Sequence, residues 1–269
     1  MIRRPMIGRR ALLANVAAAV AAPVLTSGTV HAAGAHTVKT VTIVSRPNGM
    51  TSEQFIDVLQ TKYAPLAVKL PGQHGLIISG VVQAQPRSDV KLLRIDPFDA
   101  VIDAYYANVA DQRRAADSAA GKALGAAMKN LVGTARRFVT RETVVVPVPV
   151  GQRPKIVGLS FIMRPDGVSA ANFRHEWIVV HGPMAKKVPY LRGFTVSERL
   201  SDGPVPGVPE LTMDGPLEGF TESWVDDVDS RAKMVASAEA KEWYAHGAQI
   251  FGKLRTDLLI EHVMQPVRS

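Results

Sequence analysis

Arg46-Pro47-Asn48-Gly49-Met50-Thr51, followed by Phe55, returns 118 residues later as Arg164-Pro165-Asp166-Gly167-Val168-Ser169, followed by Phe173. The register then holds without a gap: Pro65, Ala67, Lys69, Pro71 and Gly75 fall on Pro183, Ala185, Lys187, Pro189 and Gly193. A weaker echo continues at an offset of 119, where Ser118, Lys122, Glu142, Val144 and Pro147 match Ser237, Lys241, Glu261, Val263 and Pro266. Self-similarity at a fixed offset requires two units of one fold. Any residue present in only one copy therefore becomes a candidate for function.

Each copy reads as strand, helix, strand, strand, helix, strand. In the first, Val38 to Arg46 is β-branched and ends at the Gly49 turn, and Thr51 with Gln54 forms a capping box. Phe55, Leu59 and Leu66 share one helical stripe. Gly75 to Gln85, Phe98 to Tyr106 and Phe138 to Val146 read as strands, and Ala-rich Val109 to Leu131 as one helix. The second copy follows with Lys155 to Met163, Ser169 to Val180, Gly193 to Leu200, Leu217 to Val225, Asp229 to Phe251 and Leu258 to Gln265. Ser201 to Pro216 is dense in Pro and Gly and reads as a loop, and Pro147 to Pro154 as the linker. The expected fold is α+β: ferredoxin-like βαββαβ repeats at 38–148 and 155–267, packed sheet to sheet as an intramolecular α+β barrel with helices outside.

Residues 1–32 read as an export signal. Arg3, Arg4, Arg9 and Arg10 precede the apolar run Ala11 to Leu25, and Val30-His31-Ala32 offers small residues for cleavage. A run of about 15 residues is too short to span roughly 30 Å of hydrocarbon, so no stable membrane insertion is expected. Arg9-Arg10-Ala11-Leu12-Leu13 resembles a twin-arginine signal, which implies a periplasmic or secreted protein. Of the net charge of +8, four are the leader's arginines, and the remaining four make no nucleic-acid footprint. The chain has no cysteine, which removes disulfides, thiolate metal sites and cysteine nucleophiles.

Each copy is similar to the EthD-like domain of the dimeric α+β barrel superfamily. The second copy carries the full motif of Arg164, Gly167, Ser169, Phe173, Trp177 and His181, followed by Gly182-Pro183 and Arg192-Gly193-Phe194. The first copy departs from it, with Leu59 at the Trp position and Tyr63 at the His position. The resemblance implies oxidative or tailoring chemistry on small organic compounds; relatives of the fold include cofactor-free monooxygenases, lactone isomerases and haem enzymes.

His181 is the candidate base. Trp177 and His181 lie four apart on one helical face, which sets an imidazole beside an indole at the edge of an apolar cleft. Trp177, Trp224, Tyr63 and Tyr105 are the candidate substrate contacts. The alternative for His181 is a half-buried histidine that caps a helix end. His175 should face solvent, six residues and about 240° of rotation from His181, so the pair cannot share a metal ion. His262 and Glu261 alternate on the last strand, so one of them at most looks into the barrel. His74, His246 and His36 read as surface or loop residues. No phosphate loop, dinucleotide fingerprint or Gly-x-Ser-x-Gly elbow is present.

The expected function is an EthD-like enzyme, of oxidoreductase or cofactor-free isomerase or lyase type, acting on a small hydrophobic or aromatic molecule. Its working pocket is expected in the second copy, with the first as a structural partner. No cofactor is assigned, with haem and flavin left open. The alternatives are a non-catalytic binder of an apolar ligand and a haem-binding variant using His181 or His262. The expected unit is a monomer with an internal pseudo-dimer, with further dimerisation open.

Overall fold

The computed structural model describes residues 37–148 and 153–267. The expected leader and the centre of the linker lie outside the described residues. The first repeat comprises β1 (Thr37–Val44), α1 (Ser52–Val58), a π-helical turn (Leu59–Tyr63), α2 (Ala64–Ala67), β2 (Gln73–Ala84), β3 (Ala100–Tyr106), α3 (Val109–Asp117), α4 (Ala119–Leu131) and β4 (Ala135–Val146). The second comprises β5 (Ile156–Met163), α5 (Ala170–Arg174), a π-helical turn (His175–His181), α6 (Gly182–Met184), a 3-10 turn (Ala185–Lys187), β6 (Gly193–Pro204), β7 (Gly219–Val225), α7 (Val228–Ala236), α8 (Ala238–Ile250) and β8 (Lys253–Gln265). No described helix is long and apolar enough to cross a membrane.

The strands of the first repeat lie in the order β4-β1-β3-β2, and those of the second in the matching order β8-β5-β7-β6. Their edges then pair, β2 with β8 and β4 with β6, and close an eight-stranded antiparallel barrel. Face-to-face packing alone would have left four edge strands with unpaired backbone groups; closure removes them.

Alternation along the strands sorts the side chains into three cores. On β1, Val41 and Ile43 point into the barrel, while Val38 and Val44 join the layer under the first repeat's helices. One end of the barrel is filled by Phe98, Phe138, Phe161 and Phe220, packed edge to face with centroids 5.1 to 5.5 Å apart. Such pairs add to the stabilisation from burial alone. Two further cores lie between each sheet and its own helices, one around Phe55 and Leu59, the other around Phe173 and Trp177.

Thr51 and Gln54 form the expected capping box, and Ser169 caps α5 by accepting from Asn172 N. Three expectations are corrected. The long second helix of each repeat breaks at a serine, because Ser118 and Ser237 adopt extended backbone with ψ of 162° and 155°. Each serine accepts from the amide three residues on, Gly121 or Ala240, and donates to a carbonyl of the preceding helix. Serine competes with the backbone in this way and favours caps over helix interiors. The loop expected from Ser201 starts later, since β6 continues to Pro204 along β4. The first-helix stripe also differs: Phe55, Leu59, Tyr63 and Ala67 are buried and Leu66 only partly so. Steps of four outrun about 3.6 residues per turn, and the π-helical turn absorbs the difference.

Candidate functional site

The five residues singled out from the sequence fall in three separate places. Trp177 and His181 lie under the helices of the second repeat. The π-helical turn carries His181 against α8, where its imidazole stacks on Trp243 and on His246, with ring centroids 5.5 and 5.3 Å apart. Phe251 meets it edge-on at 5.1 Å, and the two Nδ1 atoms of His181 and His246 are 3.1 Å apart. Gly247 makes this fit, because a Cβ there would stand 3.1 Å from His181 Cε1. Burial first, then the positive charge of His246 and Arg87, pull the His181 pKa down to about 3. The expected base at the edge of a cleft is thus a buried imidazole, neutral at physiological pH. Trp177 is equally enclosed, over Gly219, where a Cβ would stand 2.9 Å from the edge of the indole.

His246, expected on the surface or in a loop, is therefore a helix residue facing inward. Trp243, His246 and Gly247 sit at i, i+3 and i+4, a spacing that marks one helical face. His175 is exposed while His181 is buried, so the two do not converge. The haem reading fits His181 poorly, since aromatic rings stack against its imidazole and none of the cavities below borders it. His262 lies on the outward face of β8 beside a cavity walled largely by Arg153, Lys155 and Glu261.

Trp224 and Tyr105 occupy the barrel interior, where the end opposite the phenylalanines is charged. Lys39 forms an ion pair with Glu222, and its Nζ lies 3.3 Å from Glu142 and 4.0 Å from Asp103. Arg153 grips Glu261 with two hydrogen bonds of 2.6 and 3.0 Å, while Trp224 Nε1 donates to the same carboxylate at 2.9 Å. Arg153 also stacks on Trp224 at 4.5 Å. Glu261, not His262, is the residue that looks inward. These side chains fill this end of the barrel, with Asp103 Oδ1 and Glu142 Oε2 left without a hydrogen-bond partner.

Tyr63 alone of the five borders a sizeable cavity. This space, of about 490 Å³, lies between the sheet and the helices of the first repeat. Tyr63, Tyr106 and Arg137 supply its polar wall together with Thr40 and Thr42, and Leu70, Ile102 and Leu124 supply apolar surface. Burial raises the pKa of Tyr63 and pushes that of Tyr106 up to about 12, each against the pull of Arg137. Lys122, Lys129 and Asp117 stand on exposed helix positions around it.

The cavity opens in the repeat opposite to the one expected, and the second helices explain why. At the aligned positions α8 carries Trp243 and Tyr244, whereas α4 carries Leu124 and Gly125. In the second repeat the two rings fill the gap, leaving about 130 Å³ beside Trp243 and Tyr244. In the first, nothing lies within 4 Å of where a Cβ of Gly125 would stand. The connections between the middle strands cross over in both directions. Arg87 of the first repeat stacks on Tyr244 at 4.6 Å, and Val205, Pro206 and Gly207 of the second repeat line the first repeat's cavity.

A family model described as the EthD domain matches the sequence twice, over residues 47–135 and 165–252. The chain belongs to the EthD domain family. No curated protein matches it. Among solved structures it is similar to a candidate monooxygenase from Fusobacterium nucleatum subsp. nucleatum, with 10% identity and a TM-score of 0.58 over 87% of this chain and 97% of that one. It is also similar to an anthrone oxidase-like protein, with 9% identity and a TM-score of 0.56 over 88% of this chain and 96% of that one. A candidate monooxygenase from Lactobacillus acidophilus gives 9% identity and a TM-score of 0.53, over 86% and 96% of the two chains. At such identities the likeness speaks to the fold. The two EthD domains of this chain share one closed barrel, and the open helix–sheet cavity lies in the first of them.

Proposed function

We propose that the chain is an oxidoreductase-type enzyme acting on small molecules outside the cytoplasm, and that the cavity of the first EthD domain is its working site. The substrate in this reading has an apolar body of aromatic size and carries an enolisable or phenolic oxygen. The cavity itself carries the reading: about 490 Å³ of space with an apolar wall and two buried phenols. The raised pKa values of Tyr63 and Tyr106 keep both phenols protonated. They therefore donate hydrogen bonds to a substrate oxygen and favour negative charge that develops on it. Asp117, exposed among the lining residues, is placed to take up the proton released. The enolate is then open to oxidation by dioxygen. Leader-like residues 1–32 support export to the periplasm or beyond, and the closed barrel supports a monomeric working unit.

Anthrone, an enolisable tricyclic ketone, makes a direct test, since one dioxygen converts its methylene to a carbonyl with release of water. Purified protein should consume oxygen with this substrate, and Gly125→Tyr should abolish the consumption while circular dichroism stays unchanged. The substitution installs the side chain that fills the second repeat, at a position with free space around the Cβ. Uptake by Gly125→Tyr at the wild-type rate would refute the assignment. A second reading, a carrier of the same class of ligand, is favoured by the phenols themselves, as neither accepts a proton near neutral pH. It predicts a ligand-dependent rise in Tm without oxygen uptake.

A further inference from the structure

We infer that the ligand of the first repeat's cavity bears a carboxylate and that Arg137 holds it, an inference that rests on this cavity being the working site. Arg137 projects from β4 next to Thr42 of β1, its register partner, and its Nε donates weakly to Thr42 Oγ1 at 3.5 Å. Among the described residues its two terminal nitrogens have no protein hydrogen-bond partner and no carboxylate lies within 4.0 Å. Its neighbours on the strand are served differently. Arg136 pairs with Asp202 at 2.5 Å and Glu210 at 2.8 Å, and Arg141 reaches Glu198 at 4.0 Å. Arg137 is partly buried and borders the cavity instead.

The second repeat shows what the fold does without this charge. The counterpart of Arg137 is Thr256 and that of Thr42 is Ser160, and these two hydroxyls bond to each other at 2.8 Å. There the space is filled by Trp243 and Tyr244. At this strand position the open cavity thus has a guanidinium without a carboxylate, and the nearly filled one a self-satisfied hydroxyl pair. The guanidiniums that border the filled space, Arg87 and Arg231, come from other elements and engage Tyr244. A partly buried guanidinium that faces a cavity and has no carboxylate beside it keeps its terminal donors free for an anion that enters there. The free terminal nitrogens of a guanidinium match two parallel acceptors on one plane, which is the geometry of a carboxylate. Lys122 and Lys129 add positive charge at exposed positions along the lining, against the single acid Asp117. The phenols of Tyr63 and Tyr106 remain for the reacting oxygen, so the two ends of the ligand are read by different groups.

The test compares 2-naphthoate with 2-naphthamide, which share shape and differ in charge. Binding of each is measured by titration calorimetry to the wild type, to Arg137→Thr, to Arg137→Gln and to Gly125→Tyr. The wild type should prefer the acid by about ten-fold, the scale of one charge-assisted hydrogen-bonded pair. Both Arg137 variants should lose that preference while binding the amide as before, and the pair of substitutions guards against one of them misfolding. Equal affinity of the wild type for acid and amide, or a preference that survives both substitutions, overturns the carboxylate assignment and leaves the cavity intact as a site. Binding that is absent from the wild type, or undiminished in Gly125→Tyr, overturns the cavity reading and this inference with it.

Discussion

Four carboxylates enter the charged end of the barrel in matched pairs: Asp103 and Glu142 from the first repeat stand where Glu222 and Glu261 stand in the second. Lys39 breaks that symmetry, since its counterpart is Val157. Burial alone would lower the Lys39 pKa, but the surrounding acids, Asp103 and Glu222 foremost, raise it, and at neutral pH the ion pair with Glu222 holds the ammonium charged. The same lysine keeps Glu222 ionised against burial, while burial dominates at Asp103 and raises its pKa to about 8. Asp103 is therefore protonated at neutral pH, so the lysine faces fewer negative charges than the sequence suggests. Replacing Lys39 by Val, as in the other repeat, leaves Glu222 buried with the Thr195 hydroxyl but without its cation, and should cost about 3–5 kcal/mol in urea denaturation. Restoration by Glu222→Gln in the same chain would show that the loss was electrostatic and not a matter of packing. Asp103 has the opposite signature. Its folded pKa lies above its unfolded value, so its contribution is full at low pH and fades as pH rises through about 8. Asp103→Asn should therefore gain on the wild type as pH rises from about 4 to about 8, and equal slopes in that range would contradict the assignment.

At the scale of elements, the π-helical turns and the second helices decide what each aligned residue does. The sequence offset pairs Tyr63 with His181 correctly, and both are buried in the helix–sheet layer. What it hides is the partner surface. His181 meets Trp243, His246 and Gly247 of α8, whereas Tyr63 borders open space beside Leu124 and Gly125 of α4. The chemistry of the first-helix residue suggested a base in the second repeat, but the volume of the second-helix residues put the cavity in the first. Trp243 and Tyr244 against Leu124 and Gly125 were visible in the aligned copies, and their sizes were the legible signal. Arg137 gave no such signal, because its lack of a partner is a property of the folded strands. The His181 contact also carries a pH dependence. Its folded pKa of about 3 lies below the ordinary value of 6.5, so its contribution is present above pH 6.5 and is lost as pH falls toward 3. Between pH 6.5 and 5 this amounts to about 2 kcal/mol, or roughly 4–8 °C in Tm for a chain of this size. His181→Gln should show a flatter Tm profile over that interval whatever its stability at pH 7. A profile parallel to that of the wild type would mean that the imidazole takes up its proton in place.

For the whole molecule, repeat and strand order were legible because the offset ran through a helix and two strands of each copy, and a βαββαβ unit leaves one sheet face bare. Edge pairing was not, because which strands meet depends on the lengths of β2, β4, β6 and β8, each 12 or 13 residues and extended past the apolar segments that announce them. Those extensions form the two seams, and the charged cluster bridges the repeats through Lys39 and Glu222 as well as through the shared aromatic core. Neither repeat keeps a covered inner face or a paired edge without the other. The two domains should therefore unfold together in one transition. The three tryptophans, Trp177, Trp224 and Trp243, all lie in the second repeat and report on it alone, whereas far-UV circular dichroism reports on both. In urea the two signals should coincide. Lys39→Val, a change in the first repeat, should shift the tryptophan midpoint as far as the dichroism midpoint, with the slope m unaltered. A tryptophan transition that stays put while the dichroism splits into two steps would show that the second repeat stands without the first, and that the barrel is a contact between two independent domains.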